Sequence, residues 1–149
     1  MKIKNLIIYM GFLSIVSIVF VKPLLANKSA TEVIKERMDK FKMSKKMMQT
    51  IHKSIQIEDF GKIEKSATTL YNWSKEMIKF FPEGSDGTPS EASTDIWLNP
   101  EGFKKAVNNF ELASLKLINN SKEKDFDKTV DSFRSLAGTC KGCHQKFRN

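Results

Sequence analysis

The last stretch of the chain imposes the tightest constraint on its fold. Phe126, Val130, Phe133, Ala137, Cys140, His144 and Phe147 recur at steps of 4, 3, 4, 3, 4 and 3, the repeat of one face of an α-helix. Three earlier stretches carry the same signature. From about Ala30 to Gln56, Val33, Ile34, Met38, Phe41, Met48, Ile51 and Ile55 share a face, and Ser29 with Glu32 forms a capping box at its start. From about Asp59 to Phe81, Ile63, Ala67, Leu70, Trp73, Met77 and Phe80 do so, and Pro82 stops the run. Asn99 and Pro100 read as the N-cap and first position of a third helix, with Phe103, Val107, Phe110, Ala113 and Leu117 inside. Asn119-Asn120-Ser121 reads as a turn, and the fourth helix runs from about Glu123 to Arg148. No segment alternates like a strand. Such a chain is all-α, and four amphipathic helices with mostly short connections pack as an antiparallel four-helix bundle.

One connection is long. Residues 82–98, with two prolines, two glycines and several Ser and Thr, read as a loop. Ahead of the helices, Lys2 and Lys4 precede an apolar run from Leu6 to Val21, then Pro23 and Ala26. Residues 1–26 therefore read as an export signal, with a retained membrane anchor as the alternative; residues 27–149 form the domain. The chain carries a formal charge of +8, which stays positive when Lys2, Lys4 and Lys22 leave with the signal. A modest, dispersed excess of this kind suits an acidic protein partner. Export argues against nucleic acid. No catalytic acid–base pair, nucleophile constellation or phosphate loop stands out, so no enzyme activity is expected.

Cys140-Lys141-Gly142-Cys143-His144 is a C-x-x-C-H sequence, the attachment signal for a c-type haem. Two thiols three positions apart can add to the two vinyl groups of one porphyrin, and the next imidazole can then reach the iron. Cys140 and His144 fall on the apolar stripe, so the group they hold points into the bundle. Three other readings compete. A thioredoxin-type C-x-x-C wants a strand–helix context that this chain lacks. A zinc site wants a fourth ligand, and His52 is the only other histidine. A disulfide within one helical turn is strained.

With these features in place, the sequence resembles cytochrome c′ and its relative cytochrome c-556, both class II c-type cytochromes. The likeness rests on Glu32-Val33-Ile34-Lys35-Glu36-Arg37, Phe80-Phe81-Pro82-Glu83-Gly84, Asp95-Ile96-Trp97 and the C-terminal Cys140-to-Arg148 segment. It implies one covalent haem c held through Cys140 and Cys143, with His144 as axial iron ligand and a periplasmic location. It also implies Arg37 near a haem propionate, Met38 against the haem, Phe41 on the distal face opposite His144, Arg148 on the proximal side, and Glu91 and Ala92 near the haem edge. A homodimer through the first two helices is expected by the same likeness.

The distal residue then decides the chemistry. Family members with Met there carry electrons through His/Met-ligated iron. Those with an apolar residue leave the sixth site open and bind nitric oxide or carbon monoxide. Phe41 has no ligand atom, so gas binding is the expected function, with electron transfer to a partner protein alongside. The alternative is a low-spin electron carrier in which Met38 or Met48 is the sixth ligand. His52, eleven residues from Phe41, reads as a core or surface residue, and Trp73 and Trp97 as packing.

Overall fold

The structure, a computed structural model, describes residues 28–149; the expected export segment at residues 1–26 lies outside them. Helix α1 spans Ala30–Ile55, α2 Phe60–Glu76, α3 Asp95–Leu98, α4 Pro100–Lys122 and α5 Phe126–Phe147, with a 3-10 turn over Met77–Phe80. The four long helices make the expected bundle, and each starts on a side-chain cap. Ser29 Oγ accepts from Glu32 N while Glu32 Oε2 accepts from Ser29 N, so the capping box at α1 is complete. Asp59, Asn99 and Asp125 each accept, at 3.0 Å, from the backbone N–H three residues on.

Two expected connections differ. Residues 82–98 were expected to be a loop throughout, yet Asp95–Leu98 make one helical turn. Ile96 is buried beneath it, and Trp97 Nε1 donates to the Phe81 carbonyl at 3.1 Å. These two anchors give that turn a tertiary reason to form. The Asn119–Ser121 turn is instead helical. Asn120 is buried, and its Nδ2 donates to Lys128 O at 3.1 Å and to Ser132 Oγ at 2.6 Å. The reversal falls at Glu123–Lys124, where Lys124 takes φ 54; Glu58, with φ 52, plays the same part between α1 and α2.

The core is built from Ile51, Ile63, Ala67, Leu70, Trp73, Val107, Phe110, Leu117 and Leu136, with Phe103 and Phe147 closing one end. Helices α2 and α4 pack closely, as do α4 with α5 and α1 with α2, whereas α1 and α5 meet sparsely. This asymmetry shifts the inner face of α5. Its most buried residues are Thr129, Ser132, Leu136 and Phe147, whereas Phe126, at the head of the expected stripe, is 42% exposed. The expected stripe of Phe133, Ala137, Cys140 and His144 instead flanks that buried line. Two of its members, Phe133 and His144, meet aromatic side chains of α1.

Candidate haem-attachment site

Two aromatic contacts fix how α1 and α5 face each other. Phe41 meets His144 edge-on with ring centroids 6.4 Å apart, and His52 stacks on Phe133 at 6.0 Å. Phe41 and His52 are eleven residues apart on α1, and Phe133 and His144 are equally spaced on α5. At 1.5 Å per residue the two contacts stand about 16 Å apart. They frame a seam that α1 and α5 otherwise touch only sparsely, and Cys140 lies within its span. Cys140 and Cys143 are free thiols, each half-buried and packed against the core.

Electrostatics suit this end of α5 to ligation. Burial lowers the His144 pKa, and the Arg148 guanidinium lowers it further, which favours the neutral imidazole and its lone pair. By surface area His144 remains exposed, so a share of this effect is screened. Burial pushes the Cys143 thiol up to about 11, with Cys140 adding to the rise, and burial raises Cys140 as well. Both therefore stay protonated at neutral pH.

Phe41 sits in an aromatic cage. Trp73 is edge-on at 5.7 Å and Phe81 at 6.4 Å, and Phe81 continues to Phe103 at 4.8 Å. The indole Nε1 of Trp73 is buried with no hydrogen-bond partner. Arg37, one turn before Phe41, is only 3% exposed and has no carboxylate within ion-pairing distance among the described residues. Its Nη1 donates to Phe80 O and Ser85 Oγ, both at 2.9 Å. Its Nη2 donates to Ser85 O at 2.6 Å and Ser90 Oγ at 2.7 Å. The guanidinium also stacks over Phe81 at 4.4 Å. A buried cation with no ion-paired carboxylate, which Asp86 favours only from a distance, an indole N–H without an acceptor and a pair of free thiols near an imidazole together fit a flat, apolar group bearing carboxylates.

The remaining expected residues are also placed. Met38 and Met48 are half-buried, at about 4.5 and 10.5 Å along α1 from Phe41, so the ring that meets His144 is Phe41. Arg148 Nε donates to Glu91 Oε2 at 2.7 Å, and Ala92 pairs with Arg148 as an isolated antiparallel bridge. His52 is exposed and occupied by Phe133. For the zinc reading, no three His, Cys, Asp or Glu residues are grouped to hold a metal ion among the described residues. Sequence reasoning missed Phe81, Ser85 and Ser90, whose roles come from a loop that carries no periodic signal.

A four-helix bundle whose final helix carries Cys140, Cys143 and His144 in a C-x-x-C-H run has the make-up of a c-type cytochrome. Residues 32–148 match the family model described as Cytochrome C′, and the chain belongs to that family. Its members carry one covalent haem c. The chain is similar to cytochrome c′ of Rubrivivax gelatinosus, 37% identical over 76 residues, which is 50% of this chain and 59% of that one. The matched stretch thus spans little more than half of that relative. The solved structure of Rubrivivax gelatinosus cytochrome c′ superposes with TM-score 0.73 at 26% identity, covering 80% of this chain and 97% of that chain. A nitric oxide complex of a mutant cytochrome c prime from Alcaligenes xylosoxidans superposes with TM-score 0.73 at 21% identity, over 80% of this chain and 96% of that one.

Proposed function

We propose that this protein is an exported, periplasmic gas-binding cytochrome, with residues 1–26 as its signal and residues 27–149 as its haem domain. In this reading Cys140 and Cys143 hold the haem by thioethers, His144 ligates the iron from the proximal side, and Phe41 screens the opposite face. The observation that carries it is the meeting of Phe41 and His144 across the α1–α5 seam. When bound, the haem supplies an iron with an open sixth position for nitric oxide or carbon monoxide. A phenyl ring has no lone pair to fill that position.

The chain's own residues do the rest. His144, whose neutral form burial and Arg148 favour, would offer its lone pair to the iron. Phe41, braced by Trp73 and Phe81, crowds an incoming diatomic and excludes water. Arg37 and the Trp73 indole face the propionate end, Met38 lies against the haem, and Glu91, Ala92 and Arg148 border its proximal edge. The nitric oxide complex of the Alcaligenes relative supports the choice of ligand. Lys105 and Lys146 line a groove beside Cys143, which suits an acidic redox partner for a secondary electron-carrying role. A homodimer through α1 and α2 completes the proposal, and no enzyme activity is assigned.

Visible spectroscopy tests it. The ferrous protein is expected to be high-spin and five-coordinate. Phe41→Ala should speed carbon monoxide binding about tenfold or more, since each ~1.4 kcal/mol of relieved barrier is tenfold in rate. A low-spin ferrous spectrum in the unmutated protein would instead make Met38 or Met48 the sixth ligand and the protein an electron carrier.

A further inference from the structure

We propose that Ser90 is a positioning residue that joins the two faces of the haem site, a reading that rests on the assignment of Phe41 and His144 to opposite faces. Arg37 lies one turn before Phe41 on α1, and Arg148 lies one turn after His144 at the end of α5. A single loop, residues 81–94, is fastened to both. Residues Ser85 and Ser90 tie it to Arg37 through Ser85 O, Ser85 Oγ and Ser90 Oγ. Its second half is zipped to the C-terminal residues. Ser93 N donates to Phe147 O at 3.1 Å, Asn149 N donates to Glu91 O at 3.0 Å, and Glu91 pairs with Arg148.

Ser90 stands where the two fastenings meet. Its Oγ accepts from Arg37 Nη2 at 2.7 Å and from Ala92 N at 3.0 Å, and Ala92 is the residue that bridges to Arg148. A hydroxyl oxygen has two acceptor sites, and both are used. Among the hydrogen bonds of the described residues, no other side chain joins Arg37 to the 91–93 segment. A shift of Arg37 on the distal side therefore reaches the 91–93 segment that grips the end of the His144 helix, without passing through the cofactor. Alanine at position 90 would leave a buried guanidinium N–H and the Ala92 amide competing for acceptors the loop does not supply.

The test uses the haem-loaded protein as Ser90→Ala and Ser90→Thr, with two readouts: amide hydrogen exchange at Ser93 and Asn149, and the iron–histidine stretching band of the ferrous protein. Ser90→Ala should speed exchange at both amides by about fivefold, the equivalent of one net hydrogen bond, and should move or broaden the band. Ser90→Thr keeps the oxygen and should restore both. Unchanged exchange overturns the proposal. So does faster exchange with an unmoved band, which would make Ser90 a local loop anchor and nothing more. A low-spin unmutated protein would sink the Phe41 assignment and overturn the two-face reading with it, whereas a high-spin protein with unchanged exchange overturns the Ser90 connection alone.

Discussion

The two seams of this bundle are built on opposite principles. Between α2 and α4 the chain closes completely: Ile63, Ala67 and Leu70 on one side and Val107, Phe110 and Leu117 on the other are buried at 7% exposure or less. Between α1 and α5 it holds apart, with aromatic contacts at two points, one of them made by the exposed His144 imidazole, and the half-buried Cys140 within their span. The closed seam is self-sufficient, because its side chains satisfy one another by dispersion and burial. The α1–α5 seam is not: its side chains meet at few points, and Phe41, Met38 and Cys140 stay only half-buried. One half of the molecule is thus scaffold and the other receptacle.

The most drastic way to break this contrast is to remove the tether. Cys140→Ala combined with Cys143→Ala should abolish covalent haem altogether, seen as loss of haem staining on a denaturing gel. Next in size is truncation within the closed seam. Leu70→Ala should cost about 2–5 kcal/mol with or without haem, as a fully buried leucine leaves a cavity. Phe41→Ala should cost the apoprotein clearly less, because that ring is only half-buried. Urea melts of both apoproteins check the ordering, and equal losses would erase the distinction between the seams. The smallest effect is electrostatic. The folded His144 pKa lies below its ordinary 6.5, so between these two values the unfolded chain binds more protons. Apoprotein stability should therefore fall as pH drops through about 6.5, and His144→Gln should flatten that part of the profile.

Much of this arrangement is legible in the amino-acid order. The capping box at Ser29 and the Asn99-Pro100 start are local codes that the chain obeys, and the Cys140–His144 motif is a local code of the same kind. Periodicity also separates apolar faces from polar ones. It does not say which neighbour a face will meet, and so the buried line of α5 fell elsewhere than expected. Thr129 and Ser132 are polar in composition yet nearly inaccessible. Ser132 is reconciled to burial by donating to Lys128 O at 2.7 Å, a bond no hydropathy pattern records. The same holds for Asn120, whose partners lie across the turn on α5. Arg37 was expected near a propionate from family likeness. Its hold on Ser85 and Ser90 arises only when a loop more than forty residues away folds back over it.

The two fastenings of that loop differ in kind. Arg37 is inaccessible and grips neutral oxygens, so dissolved ions neither reach it nor compete for its partners. Glu91 and Arg148 are both more than half exposed and rely on opposite charges meeting in water, an attraction that ordinary salt screens over about 8–10 Å. Raising the ionic strength therefore weakens the Glu91–Arg148 pair, while the backbone bonds from Ser93 and Asn149 and the grip on α1 hold. Of the loop's two fastenings, the one at the end of α5 is consequently the one that answers to the salinity of the surrounding medium.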